Sequence, residues 1–582
     1  MKRFSSLQFP KIVTSSVISI FFLFIVVGCG SNSNDSIIVV PDPFSEKISN
    51  IIVTDSNVYF AVEVADGRFE LFGVDPVTGE GSEISDVFAA TSSLKPVSVS
   101  PSGNRIAYRA DRDNNGADEL YSNLIDGSDE VQISSILGNS TLDTSLAQIN
   151  WQWMPDSSRI IFRSDPDLDG IFEVQSILPD GTDLQMISAD LSVTCDEMIC
   201  WKIADDSSVV TFKTESLNQN SQLSQNLFSV AADGSGLIQL NQTLNVDSRI
   251  NNWNFAPDNS LIAYTSQNDG EVSQLYTVQA DASNRVLLNT NSLSIGVETF
   301  VWAPDSTQIA FTDDVSLAGL PSLYVDLPDG TNRIRLIDTF EVANPVVFDW
   351  RWAPDSSRIA YTADQETQGI FELFTVQNDG QWHRTMNAPL PANGVVQNEW
   401  QWSPASDFIA FYAEISLEDN YDELYSAAAD ASALIQVNLL HDNNLLVTRQ
   451  HWTIDGSRLI YSTVDTDGNL IAIYSVLSDG SGVVQLTEEI QTNQIINNGY
   501  SISPDSSHII YRITSADTNI TSLHLGAINN SNRLNLATLG IVQQAFWSND
   551  SSRIIYVVQT NDNISEQMYS ILADGTGKIK LY

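Results

Sequence analysis

The 582-residue chain has little positive charge: 27 Lys and Arg stand against 73 Asp and Glu, for a formal charge of −46. A deficit of that size argues against nucleic acid or anionic lipid as the main partner, because both are held by clustered cations. Histidine is scarce, and His383, His441, His451, His508 and His524 fall at no metal-binding spacing. Cysteine is scarcer, with three residues. No helical periodicity of any length is visible, which excludes helical repeats and an appended α/β catalytic domain. There is no G-x-S-x-G elbow, which argues against a serine hydrolase of the peptidase type, and no phosphate-cradling loop. Long apolar runs are missing apart from one near the amino terminus.

That run, Ile12 to Val27, follows Lys2, Arg3 and Lys11 and ends in Val26-Val27-Gly28-Cys29. It is short for a membrane span, and small residues directly before a cysteine suit cleavage better. The pattern resembles the lipobox of bacterial lipoproteins. The resemblance implies a signal peptide over 1–28 and a lipidated Cys29. Because position 30 is glycine and not the retention aspartate, it also implies an outer-membrane anchor. Residues 29–46, rich in Ser, Asn, Asp and Pro, read as a flexible tether. Cys195 and Cys200 stand five apart, and export to an oxidising compartment predicts a local disulfide between them.

The dominant signal is a repeat. WRWAPDSSRIAYT at 350–362 recurs as WQWMPDSSRIIFR at 151–163, WNFAPDNSLIAYT at 253–265, FVWAPDSTQIAFT at 300–312 and WQWSPASDFIAFY at 400–412, with further copies. Equivalent positions at 55, 102, 156, 206, 258, 305, 355, 405, 455, 505 and 550 mark eleven units spaced 45 to 54 apart. A period of that length means a solenoid, a propeller or an array. Each unit carries a β-branched and aromatic strand after the turn, a second such strand, a turn that is usually Asp-Gly, and a short closing strand. Asp-Gly between apolar runs is a hairpin signal, and four short antiparallel strands make a propeller blade. Eleven of the twelve tryptophans fall at two positions of the first strand, two residues apart and therefore on one face. Trp151, Trp153, Trp350, Trp352, Trp400 and Trp402 are thus expected to pack between blades, and only Trp382 lies elsewhere.

The pattern W-x-P-D-S/G-x-x-I-A-F/Y, followed by an acidic loop and an aromatic strand ending in Asp-Gly, resembles the TolB-like propeller repeats. The resemblance spans nearly all of 47–582. It implies an all-β propeller protein of the cell envelope that binds other proteins through its faces. The chain departs from TolB in its lipid-anchor signal, in lacking an α/β N-terminal domain and in its number of units. Eleven blades exceed the usual four to eight per ring. Two tandem propellers are therefore expected, five blades over 47–291 and six over 292–582, with four plus seven as the alternative. The expected role is a non-enzymatic binding scaffold for an envelope protein or a polysaccharide, with no nucleic acid and with membrane contact only through the N-terminal lipid. The alternative is a propeller enzyme, a lyase or hydrolase, acting on saccharides in the periplasm or at the cell surface.

Two acidic loops stand out. Residues 111–119 place Asp111, Asp113, Asn115 and Glu119, and residues 165–173 place Asp165, Asp167, Asp169 and Glu173, at loop positions 1, 3, 5 and 9, each with glycine at position 6. Alternate oxygen side chains around a tight turn suit Ca²⁺, the one cofactor this sequence points to. Turn geometry alone also favours Asp, Asn and Gly in such loops. Residues 364–372 carry a degenerate copy.

Overall fold

The computed structural model describes residues 48–582 except positions 55, 66–67, 86–94, 111–118, 134–140, 143–150, 166–171, 189–190, 192, 194–200, 218–222, 243–248, 269, 291–295, 315–321, 338–345, 392–393, 415–422, 439–444, 492, 530–531, 538–539 and 560–565. Among the described residues there is no helix, hence none that is long and apolar enough to cross a membrane. The strands form eleven four-stranded antiparallel units in simple up-and-down order. We number them as blades 1 to 11: 48–83, 95–132, 151–186, 201–239, 249–287, 300–335, 347–385, 401–436, 446–485, 494–537 and 541–580. Blade 3 gains a fifth short strand, Thr141–Leu142. Single bridges, Leu470 to Ile496 and Thr521 to Ile541, link blades 9 to 11 into one sheet.

Blade 7 shows how the repeat folds. Its first strand pairs Trp350 with Tyr361, the second pairs Tyr361 with Phe374, and the third pairs Phe374 with Thr385. Tyr361 and Phe374 stack at 5.3 Å between centroids. The same cross-strand aromatic pair recurs as Tyr108–Tyr121, Phe212–Phe228, Tyr264–Tyr276, Phe311–Tyr324, Phe411–Tyr425, Tyr461–Tyr474 and Tyr556–Tyr569. Opposed aromatics of this kind stabilise a sheet by roughly 0.2–1 kcal/mol per pair. The turn between the first two strands is closed by Ser356 N–H donating to Ala353 O at 2.9 Å, and Ser357 N–H donates to Asp355 Oδ1 at 3.0 Å. Ser356 itself has φ 63°.

The core is a chain of interfaces between successive blades. Ile52, Tyr59 and Leu71 of blade 1 bury against Val97, Ile106 and Tyr108 of blade 2. Leu275 and Leu288 of blade 5 bury against Phe300, Trp302 and Phe311 of blade 6. The last joint is between the chain's two ends: Phe60, Val62 and Val74 of blade 1 pack with Ile555, Val557, Met568 and Leu581 of blade 11. Ile48 N–H donates to Glu566 Oε2 at 2.8 Å across the same joint.

This packing corrects the expected two rings, in both the five-plus-six and the four-plus-seven form. A break at 291/292 would leave blades 5 and 6 without a shared core and would seat blade 5 on blade 1. The structure instead gives blades 5 and 6 an ordinary interface, packs Leu227 and Leu240 of blade 4 against Ile250 and Trp253 of blade 5, and closes blade 11 on blade 1, so the described strands make one closed ring within a single compact unit.

Candidate functional site

Successive first strands are joined through their indoles. The second-position indoles donate to carbonyl oxygens on the first strand of the preceding blade. Trp153 reaches Ser98 O, Trp302 reaches Asn254 O, Trp352 reaches Val301 O, Trp402 reaches Arg351 O, Trp452 reaches Gln401 O and Trp547 reaches Ser501 O, all between 3.2 and 3.4 Å. Trp151 and Trp153 share a core with Ala107 and Leu120 of blade 2, Trp350 and Trp352 with Ala310 and Val325 of blade 6, and Trp400 and Trp402 with Ala360 and Leu373 of blade 7. Trp151, Trp153, Trp352 and Trp400 are buried, and Trp350 and Trp402 are half-buried. Burying one such ring removes about 150–250 Å² from water, worth roughly 4–6 kcal/mol as an upper bound. Trp382, outside the pattern, is 58% exposed.

A second inter-blade belt was not anticipated from the sequence. The residue that closes the turn, which follows aspartate in most blades and Ala405 in blade 8, adopts positive φ and presents its side-chain oxygen to a backbone N–H of the preceding blade. Ser157, Ser207, Ser306, Ser356, Ser406, Ser506 and Ser551 accept from Ser102, Asp156, Asp258, Asp305, Asp355, Ile454 and Asp505, and Asn259 accepts from Asp205. Gly103 and Gly456 occupy the same slot. Its signal in the sequence is the recurring serine after Pro-Asp.

Between the two tryptophan positions of each first strand stands one residue on the opposite face, as the two-residue period requires. On the first strands the charge balance of the chain reverses: Lys202 and Arg351 hold that position in blades 4 and 7, Arg249 and Arg449 lie earlier on the first strands of blades 5 and 9, and Asp349 is the only acid there among the described residues. Lys202 Nζ donates to Trp253 O at 2.5 Å and sits 5.3 Å from the Trp253 ring. Burial holds its pKa below the usual lysine value. Arg351 donates to Trp400 O at 2.6 Å and to Asp349 at 2.6 Å, with its guanidinium 4.5 Å over the Trp400 ring. Arg249 and Arg449 are exposed. His451, exposed, stands beside Arg449 and edge-on to Tyr500. Cations on the first strands of blades 4, 5, 7 and 9, two of them over indole faces, can bind anionic groups.

The other sequence candidates are placed only in part. Cys29, Cys195, Cys200, Asp111, Asp113, Asn115, Asp167 and Asp169 lie outside the described residues. Asp165 ends the strand Ile160–Asp165, Glu119 opens the strand Glu119–Leu124 and is half-buried, and Glu173 opens the strand Glu173–Ile177 and is buried. The degenerate loop at 364–372 is described. Its Asp364 carboxylate accepts from Val346 N–H at 2.7 Å, Gly369 N–H at 2.9 Å and Gln368 Nε2 at 2.9 Å, while Glu372 accepts from Asn387. Those bonds occupy the oxygens a cation would need. Among the described residues no three His, Cys, Asp or Glu side chains gather as a metal site.

No family model and no curated protein matches the chain. Solved structures with partial likeness include an oligogalacturonate lyase in complex with manganese, 15% identical over 62% of this chain and 96% of that one, TM-score 0.31. A TolB from Agrobacterium tumefaciens is 17% identical over 43% and 83%, TM-score 0.25, and dipeptidyl peptidase 4 of Porphyromonas gingivalis is 12% identical over 74% and 66%, TM-score 0.40. At these scores the likenesses leave substrate and partner open, and the β-propeller assignment rests on the blades and their packing.

Proposed function

We propose that this protein is a lipid-anchored scaffold of the cell envelope, held to the outer membrane through Cys29, whose propeller binds an acidic protein or polysaccharide along its first strands. The observation that carries the reading is the charge reversal: Lys202, Arg249, Arg351 and Arg449 on first strands of a chain with formal charge −46. At physiological ionic strength charges more than about 8 Å apart are largely screened, so the local cations outweigh the acidic remainder of the surface once a partner has docked.

Binding of polygalacturonate, and capture of partners from native envelope extract, test it on the mature protein. Binding should weaken by about tenfold or more as salt rises from low to high, in keeping with a few ion contacts. The double variant Arg249→Glu, Arg449→Glu should abolish it. Retention of acidic partners regardless of salt and of both substitutions would refute the reading. A Cys29→Ser variant that stays in the membrane fraction would refute the anchor.

A further inference from the structure

In blade 10 the cross-strand aromatic partner is a histidine. Tyr511 on the second strand stacks on His524 of the third, at 5.4 Å between centroids, where blade 3 places Gln175 and the other blades a Phe or Tyr. Ser522 lies two residues before His524 on the strand Thr521–Ala527, hence on the same face. Its Oγ is 2.7 Å from His524 Nε2. The other ring nitrogen, Nδ1, is 2.8 Å from Glu488 Oε1, which arrives from the loop that closes blade 9. Glu488 is anchored in turn by its backbone N–H, which donates to Tyr511 Oη at 3.3 Å.

The Glu488 contact fixes the imidazole tautomer. A carboxylate accepts only, so Nδ1 carries hydrogen toward Glu488 and Nε2 is left as a lone pair that can accept from the Ser522 hydroxyl, whose other acceptor is Ile513 O at 3.2 Å. Burial holds the His524 pKa below the ordinary value against the opposing effect of Glu488, so the ring is neutral at pH 7. His524 is 7% exposed in its side chain, Glu488 is 47% exposed and Ser522 is partly exposed. A hydroxyl with solvent access, a neutral base within hydrogen-bond reach and a third group orienting that base meet the geometric definition of an activated nucleophile.

We propose that Ser522, His524 and Glu488 form a nucleophilic site for acyl transfer from an activated ester. Ser522 Oγ attacks the carbonyl carbon while its proton passes to His524 Nε2 and the carbonyl π pair moves onto oxygen. Collapse of the adduct breaks the bond to the alkoxide, which takes the proton from Nε2; water, deprotonated by His524, then adds to the acyl carbon, the bond to Ser522 Oγ breaks, and Oγ takes the proton back from Nε2 as the acid leaves. Glu488 is a positioning residue. The missing G-x-S-x-G elbow is no obstacle, because here nucleophile and base share one strand. The site is separate from the first strands and shares no residue with the binding surface, so either reading can fail alone.

The test is labelling of the purified full chain by a fluorophosphonate probe, with peptide mass mapping, and the burst of p-nitrophenol from p-nitrophenyl acetate. Ser522 should take up one label per chain, and Ser522→Ala should take up none. His524→Gln should slow labelling by about 100-fold or more, the range of general-base effects. The titratable groups around the imidazole are Glu488 and Tyr511, with Arg533 beside Tyr511. Glu488→Gln should slow labelling by about tenfold and shift the acid limb of the pH profile to lower pH, since it removes the charge that favours imidazolium; Glu488→Asp should restore part of the rate. Thermal unfolding controls for folding, and Ser522→Cys should move reactivity to iodoacetamide. No label on Ser522 in the folded protein, or labelling indifferent to His524→Gln, overturns the proposal.

Discussion

The serine belt between blades can be dissected at Ser406. Its Oγ accepts from Asp355 N–H of blade 7 at 3.0 Å, and the residue is 6% exposed with φ 63°. Two effects meet there. Losing the bond leaves a part-buried N–H without its acceptor, at a cost of about 1 kcal/mol. Holding a residue with a Cβ in the left-handed region costs about 1–2 kcal/mol, which glycine avoids. Ser406→Ala loses the bond and keeps the strain, so it should destabilise by about 1 kcal/mol. Ser406→Gly loses the bond and relieves the strain, but it loosens the unfolded chain by about 0.4–1 kcal/mol. The net loss should be about half that of alanine. The natural glycines at 103 and 456 show that the slot tolerates that exchange. Hydrogen exchange at the Asp355 amide reads the local effect, and about 1 kcal/mol is roughly fivefold in exchange rate. The urea midpoint reads the global effect. An Asp355 amide as protected in the alanine variant as in wild type would refute the role of the serine. Glycine costing more than alanine would refute the strain argument.

Three further outcomes follow from the same geometry. Trp400→Ala should cost about 3–5 kcal/mol in urea unfolding, since the ring is 0% exposed and carries Arg351 on its face, whereas Trp382→Ala should stay within about 0.5 kcal/mol. Stability should fall in acid: hydrogen bonds from the residue two positions on hold the turn carboxylates Asp126, Asp233, Asp281, Asp329, Asp430, Asp479 and Asp574 below their ordinary pKa. With folded pKa values lowered, the stabilisation is complete above the unfolded value of 3.8 and is lost as pH drops below it, so urea midpoints should be level from pH 7 to 5 and decline beneath about pH 4. Calorimetry with Ca²⁺ should show micromolar-to-millimolar binding that Asp113→Ala and Asp167→Ala each reduce; a flat titration removes calcium from the two acidic loops.

Much of this architecture is legible in the sequence because each blade is local. Strand, Asp-Gly turn and tryptophan register all repeat within about fifty residues, and period-two alternation assigns the faces without any long-range information. The ring size is different. Nothing local distinguishes the joint between blades 5 and 6, and the contact that decides it pairs Ile48 with Glu566, 518 positions away. The prior from common propellers therefore pointed to two rings where packing makes one. Lys202 and Arg351 were overlooked because one cation per strand is unremarkable until eleven strands are set side by side. The Ser522–His524–Glu488 chain escaped for a related reason. Its serine and histidine are two apart in a strand, which reads as ordinary alternation, and its carboxylate belongs to another blade.

The joint that completes the ring has no strand in common between its two sides. All four strands of blade 1 come from 48–83 and all four of blade 11 from 541–580, so no chain segment bolts them together. What holds them is an apolar seam of Phe60, Val62, Ile555, Val557 and Met568, edged by the Phe60–Tyr582 ring contact and the Glu566 bond. Every other joint is also tethered by the covalent chain, so its two faces stay near each other when they separate. This seam is therefore the joint whose stability rests on side-chain contacts alone, with no connecting chain behind it.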